Sequence, residues 1–362
     1  MTALSILQLL RGKKKMSKTI LFGLVLATLL VGMLALASGV HAVKASGTIY
    51  IRADGSIDPP TAPIQRNGNV YTLTGNVTSD ADGIVVERDN IVVDGSGFAV
   101  EGTGATFSNG IYLEERSNVT IQNTNITTFD YGIGFSSSSN NSISGNTITN
   151  NTWHGIFLAS SSTNSINGNT ITNNSICDIY LLYSSNNGIN GNTITNNHNN
   201  HGIQLDHSSN NGINGNTITN NYEGIGLGAS SNYNNINGNN IKDNGDGIQL
   251  QDSSRNTVYH NNFINNTVQV DDWTPEQANF WDNGREGNYW SDYLLRYPNA
   301  AQIDSTNVMD TPYVIDANNQ DNYPLMNRYI IPEFSGLSVA ALFTTATLVA
   351  LILYKRKRIG VK

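Results

Sequence analysis

The sequence predicts an all-β fold, a parallel β-helix of about nine rungs with a cap at each end, and three observations carry that prediction. First, one phrase is written four times: SISGNTITNN (142–151), SINGNTITNN (165–174), GINGNTITNN (188–197) and GINGNTITNN (212–221), spaced by 23, 23 and 24 residues. A repeat of that length is a unit that buries its apolar stripe only against its own neighbours. Second, the apolar residues fall in columns. Ile143, Ile166, Ile189, Ile213 and Ile236 form one, extended by Val93, Ile121 and Val258. Ile126, Ile148, Ile171, Ile194, Ile218, Ile241 and Phe263 form another. A third is an alternating pair running from Ile84/Val86 through Ile156/Leu158 and Ile225/Leu227 to Val268/Val270. Third, apolar residues two apart and bounded by Asn, Gly and Ser read as very short strands. No window in 84–270 supplies the three- and four-residue spacing of a helix.

Three short strands per turn, stacked at the strand-pairing distance, make a rod of about 38 Å over eight intervals. Isoleucine suits such a column because a β-branched side chain packs on its own copy one rung above. Asn-Gly at Asn167, Asn190, Asn214 and Asn237 is also a hairpin signal. The flanking apolar runs are too short for hairpin strands. Two asparagine columns, Asn146 to Asn261 and Asn151 to Asn266, are expected to turn the corners and to hydrogen-bond along the rod.

In chain order, residues 1–45 read as a secretory leader. Basic residues precede an apolar run from Ile20 to Ala37, with cleavage after Ala42 or Ala45 and a start at Met1 or Met16. Residues 46–83 read as an N-terminal cap and first rung, 84–270 as the repeats, and 271–330 as a C-terminal cap. In that cap Trp273, Trp281 and Trp290, with Phe280, Tyr289, Tyr293 and Tyr313, are expected to seal the open end of the core. Residues 331–362 read as a membrane anchor: Phe334–Tyr354 has no charge, and Lys355, Arg356, Lys357 and Arg358 follow it. The body is thus expected outside the cell, tethered by a C-terminal helix with a cytoplasmic basic tail.

Of 20 Lys and Arg, only 9 lie between residues 45 and 355, against all 28 Asp and Glu, so the exported body is near −19. A surface of that sign does not hold nucleic acid phosphates. One cysteine, Cys177, excludes an internal disulfide framework. Seven Asn-x-Ser/Thr sequons, at Asn76, Asn118, Asn125, Asn140, Asn150, Asn173 and Asn265, make the body a candidate glycoprotein.

The segments NFWDNGREGNYWSDY (279–293) and DTPYVIDANNQDNYPLM (310–326), following the NTIT and Gly-Ile-x-Leu coils, resemble the NosD-type family as found in archaeal surface proteins. That resemblance implies a right-handed β-helix over residues 48–327, and for the namesake a periplasmic part in copper-site maturation. It also implies an Asp-rich, calcium-type loop, here Asp304 to Asp310, in which Thr306 replaces an expected Asp and Asn307 an expected Gly. The IPEF at 331–334 resembles the processing or anchoring signal of archaeal exported proteins, and processing there would make the tether a lipid instead of the helix.

One face departs from the Asn, Ser and Thr monotony. Before the Gly-Ile-x-Leu tails stand Tyr131, His154, Cys177, His201, Glu223 and Asp246. Nearby alternate positions add Tyr112, Phe157, Tyr180, Gln204, Gln249, Asp206, His207 and Asp252. Four uses compete. A solvated corner needs no partner at all. A glycan-binding face would use Tyr112, Phe157, Tyr180, Gln204 and His207 on a polysaccharide or surface-layer glycan. A metal site of His154, Cys177 and His201 would suit copper or zinc, although ligands in a row seldom close around one ion. A hydrolase or lyase would need a carboxylate pair, Asp206 with Glu223 or Glu223 with Asp246, helped by His201 or His207. Arg88, Arg116, Lys242 and Arg255 stand apart from that face, which disfavours a lyase. The expectation is an exported, membrane-tethered β-helix that serves as a glycan-binding or cell-envelope interaction module without catalysis, with a polysaccharide lyase or hydrolase and a NosD-like copper-handling protein as the alternatives.

Overall fold

The computed structural model describes residues 45–197 and 200–331. The leader and the C-terminal apolar run with its basic tail lie outside those residues. Among the described residues no helix is long and apolar enough to cross a membrane.

The short strands stack into three parallel sheets of 11, 11 and 10 strands, giving about ten turns instead of the expected nine. The difference lies at the ends. Ile49–Ile51 is already paired in parallel with Ile84–Val86, and Tyr289–Trp290 pairs with Asn262–Ile264 beyond the last repeat. Sheet I holds the TIT strands, such as Thr170–Thr172. Sheet II holds the Gly-Ile-x-Leu strands, such as His201–Asp206. Sheet III holds the strands before the GNT box, such as Ser165–Asn167. Antiparallel pairs among the described strands join Ile49–Ile51 to Ile57–Asp58, Ile64–Asn67 to Val70–Leu73, and Tyr313–Val314 to Gln320–Asp321. They are confined to the caps, and the hairpin alternative fails in the coils.

The register sets Ile143, Ile166, Ile189 and Ile213 side by side, each fully buried. Burying one such side chain contributes about 1.5–3 kcal/mol. The columns were placed correctly except at their last member. Asp246 pairs with Val268 and Ile248 with Val270, so Val270 takes the Ile position and Asp272 the Leu position. Asp272 there accepts hydrogen bonds from Asn319 Nδ2 and the Thr274 N–H, while Val268 is exposed.

The asparagines divide their work differently from the expectation. The corners that need the left-handed conformation are taken by Asn150, Asn173, Asn196 and Asn220 and by Gly145, Gly168, Gly191 and Gly215. The expected columns point inward as ladders. From Asn146 through Asn169, Asn192, Asn216, Asn239 and Asn261 to Asn288, each Nδ2 donates to the next Oδ1 at 2.9–3.1 Å. A further ladder, unforeseen, runs Asn141–Asn164–Asn187–Asn211–Asn234–Asn256–Asn279 and accepts backbone N–H groups at 2.8–3.0 Å. Buried serines Ser138, Ser161, Ser184, Ser208 and Ser231 do the same with their hydroxyls.

The C-terminal end is sealed by fewer aromatics than expected. Trp290 stacks on Phe263 at 4.3 Å and under Tyr313 at 4.1 Å, with Trp281 beside it. Trp273 and Phe280 are instead 58% and 57% exposed. Trp273 continues sheet II outward, its indole N–H donating to Asp271.

Candidate functional site

The outer surface of sheet II is where stacking gathers chemically varied side chains. Strand alternation sends Ile and Leu inward and the residues between them outward. Pairing makes His154, Cys177, His201, Glu223 and Asp246 successive neighbours. It does the same for Phe157, Tyr180 and Gln204.

The aromatic half of this face is only partly open to solvent. Tyr112, Phe157 and Tyr180 are all half-buried. Phe157 and Tyr180 lie 5.4 Å apart and are tilted by 26°, and Tyr131 stacks on Phe157 at 5.1 Å. Rings separated by about one rung spacing cover each other's faces, so they present edges to solvent. His154 is packed into this stack, 5.0 Å from Tyr180. Burial and then His201 push its imidazole down to about 4, so it is neutral at physiological pH.

The polar half consists of a hydrogen-bonded chain and a second set of three polar side chains in close contact. Asp206 accepts from Tyr180 Oη at 2.9 Å and from Gln204 Nε2 at 2.8 Å. Glu223, 5% exposed, accepts from Gln249 Nε2 at 2.8 Å, and its other oxygen lies 2.5 Å from His201 Nδ1, off the line of a hydrogen bond. Burial, then Asp271 and Glu223, raise the Asp246 carboxyl to about 6. These groups are held in place, unlike the freely moving side chains of a solvated corner.

Neither implied metal fits. His154, Cys177 and His201 sit in a row, but the Cys177 thiol is buried and its pKa raised well above the usual range, chiefly by burial. His201 Nδ1 turns to Glu223. Among the described residues no three His, Cys, Asp or Glu side chains converge as a metal would require. In the Asp304–Asp310 loop, Asp310 accepts from the Ala301 N–H and the Thr311 hydroxyl, and the Thr306 hydroxyl donates to the Ile303 carbonyl. That loop closes on itself and gathers no set of oxygens around a hard cation.

Asp178 was missed. Its column is otherwise Gly83, Gly110, Gly132, Gly155, Gly202, Gly224 and Gly247 until Gln269, because a Cβ at these glycines meets a next-rung carbonyl oxygen at 2.5–2.8 Å. Asp178 breaks that rule inside the rod. It is wholly buried, accepts from Asn174 Nδ2 at 2.7 Å, and burial raises its carboxyl to about 8. The signal was present as Cys-Asp-Ile where the neighbouring rungs read His-Gly-Ile. Also unforeseen was Tyr183, exposed on the corner beside sheet II and stacked on His207. All seven sequon asparagines, Asn76, Asn118, Asn125, Asn140, Asn150, Asn173 and Asn265, are exposed.

A parallel β-solenoid with one ordered polar and aromatic face defines the class. Within it the chain belongs to the NosD family, described as periplasmic copper-binding protein, whose sequence model matches residues 44–181 and 96–295. No curated protein matches the chain. Similar solved structures include the enzymatically active domain of Bacteriophage CBA120 tailspike protein 2, at 16% identity and TM-score 0.50 over 65% of this chain and 42% of that one. The mannuronan C-5 epimerase AlgE6 A-module of Azotobacter vinelandii matches at 16% identity and TM-score 0.44, over 54% of this chain and 60% of that one. The periplasmic alginate epimerase AlgG matches at 19% identity and TM-score 0.41, over 56% of this chain and 66% of that one. The chain therefore spans about 60% of the epimerase module. At such identities the likeness is one of fold.

Proposed function

We propose that this protein is an exported surface β-helix, tethered through its 334–354 segment, whose sheet II face binds polysaccharide. The supporting observation is the pair of fixed polar chains, Tyr180–Asp206–Gln204 and His201–Glu223–Gln249, on adjacent rungs beside the aromatic stack. Donors and acceptors already locked in position lose little freedom on binding. The rung spacing of about 4.8 Å is also close to one sugar unit, so a glycan along the rod would meet equivalent positions in succession. The expected result is binding of the full-length protein to at least one immobilised polysaccharide. Gln204→Ala plus Gln249→Ala should weaken that binding at least tenfold. Unchanged affinity in the double variant would remove this face from the binding surface.

A hydrolytic or lytic reading draws on Asp246 and Glu223, since a carboxyl raised by burial and then by neighbouring carboxylates is a common mark of acid–base chemistry. It predicts release of reducing or unsaturated ends from polysaccharide, lost in Glu223→Gln.

A further inference from the structure

At the edge of sheet II the corner column changes size abruptly. Tyr183 and His207 occupy adjacent rungs with rings parallel to within 2° and centroids 4.6 Å apart. Both hold φ near +50°, a region that strains bulky residues, and Tyr183 is 59% exposed. On the next rung the chain bulges by one residue, and small Ala229 and Ser230 stand where a third ring would be. Asp252 follows on the rung beyond. The outer face of His207 therefore looks into a gap two rung spacings wide, about 9–10 Å, with Asp252 opposite. The gap is part of a concavity of about 480 Å³ that begins at Leu182 and Tyr183 and is lined further along by Asp206, His207, Gly228, Ala229, Gln251 and Asp252. That volume lies within the range of small-ligand sites.

We propose that this notch is a subsite for one pyranose ring of a saccharide without carboxylate groups, stacked on His207 and hydrogen-bonded by Asp206, Gln251 and Asp252. A gap of two rungs admits one ring at van der Waals distance from each wall. The two carboxylates accept from sugar hydroxyls or an amine. They repel a uronate, and no Lys or Arg lines the notch to offset that repulsion. The inference rests on the polysaccharide-binding reading and narrows it to a position and a sugar class.

The test measures affinity of the full-length protein for hexamers of β-1,4-linked glucose, glucosamine and mannuronate. The expected order places glucose or glucosamine at least tenfold tighter than mannuronate. Ala229→Tyr, which extends the ring column into the gap, should weaken that binding at least tenfold. His207→Ala, which removes the platform, should do the same with an unchanged far-ultraviolet spectrum. Equal or tighter binding of the mannuronate hexamer overturns the proposal. So does a glucose or glucosamine affinity that survives both variants. If that surviving affinity falls in Gln204→Ala plus Gln249→Ala, the notch fails while the face stands; no binding of any hexamer or immobilised polysaccharide overturns both.

Discussion

Asp178→Gly is expected to stabilise the protein at pH 8.5 by on the order of 3–6 kcal/mol relative to its effect at pH 4, as read from urea unfolding at the two pH values. The folded chain holds the Asp178 proton up to about pH 8, because the carboxyl is wholly buried, whereas an unfolded Asp releases it near 3.8. Between those values the folded state binds more protons than the unfolded state. Stability from this group is therefore fully present below about pH 4, falls as pH rises through the window, and levels off above it. The glycine variant lacks that slope. His154 works in the opposite sense, since its depressed value near 4 makes stability rise with pH between about 4 and 6.5. It is present in both chains and cancels in the difference. Glycine costs about 0.5–1 kcal/mol in backbone entropy, too little to reverse the sign at high pH. Parallel pH profiles for the two chains would show that Asp178 titrates no differently folded than unfolded.

The reason for an aspartic acid at 178 is local. Along the second ladder, Asn151 Nδ2 donates to Asn174 Oδ1, and Asn221 to Asn244 and Asn244 to Asn266 continue the pattern. At Asn174 the donor turns to Asp178, and at Asn266 it turns to Gln269. Both non-glycine members of the column thus take the bond that an asparagine on the next rung would otherwise accept. At Gln269 the ladder has reached its end. At Asp178 it is interrupted within the rod, beside the rung where the spacing lengthens to 24 residues. Asn197 instead donates to the His201 carbonyl.

The sequence made the rod legible because its cause is periodic: a residue that must stack on its own copy announces itself by recurring. Ile166, Asn169 and Asn174 are of that kind. What did not recur was read less well. Trp273 and Phe280 were assigned to the seal by composition, yet their positions relative to the last register decide their exposure, and Trp281, Trp290, Tyr293 and Tyr313 are the ones that turn inward. Tyr112, Phe157 and Tyr180 were correctly placed on one face, but ring orientation depends on what stands between rungs. Tyr131 stacks on Phe157 although the register pairs it with His154. That these residues are neighbours on one face was therefore legible, whereas the ties among Glu223, His201 and Gln249 depend on side-chain torsions that no spacing encodes.

The second large effect concerns that recurring amide. Asn192 is buried, and its side chain makes four hydrogen bonds: Oδ1 accepts from the Asn169 N–H at 2.9 Å and from Asn169 Nδ2 at 3.0 Å, and Nδ2 donates to the Ile166 carbonyl at 2.9 Å and to Asn216 Oδ1 at 3.0 Å. Asn192→Ala takes the acceptor from the Asn169 N–H and this donor from the Ile166 carbonyl where water does not reach, whereas Asn169 Nδ2 keeps the Ile143 and Asn167 carbonyls and Asn216 Oδ1 keeps the residue-192 N–H. At about 1–3 kcal/mol for each unsatisfied group, with partial relaxation, the loss is expected to be on the order of 4 kcal/mol. Asn235→Ala, at an exposed strand position, is expected within about 0.5 kcal/mol of the wild type. Because each coil touches only its neighbours, the damage should be local before it is global. Hydrogen exchange at the Asn169 amide should accelerate by roughly a thousandfold, while amides several rungs away keep their protection. Equal effects of Asn192→Ala and Asn235→Ala would mean that the isoleucine columns alone hold the coils in register. A large, localised effect would mean that the apolar columns supply cohesion while the amide ladders fix which rung faces which, and every neighbour relation on the sheet II face depends on that register.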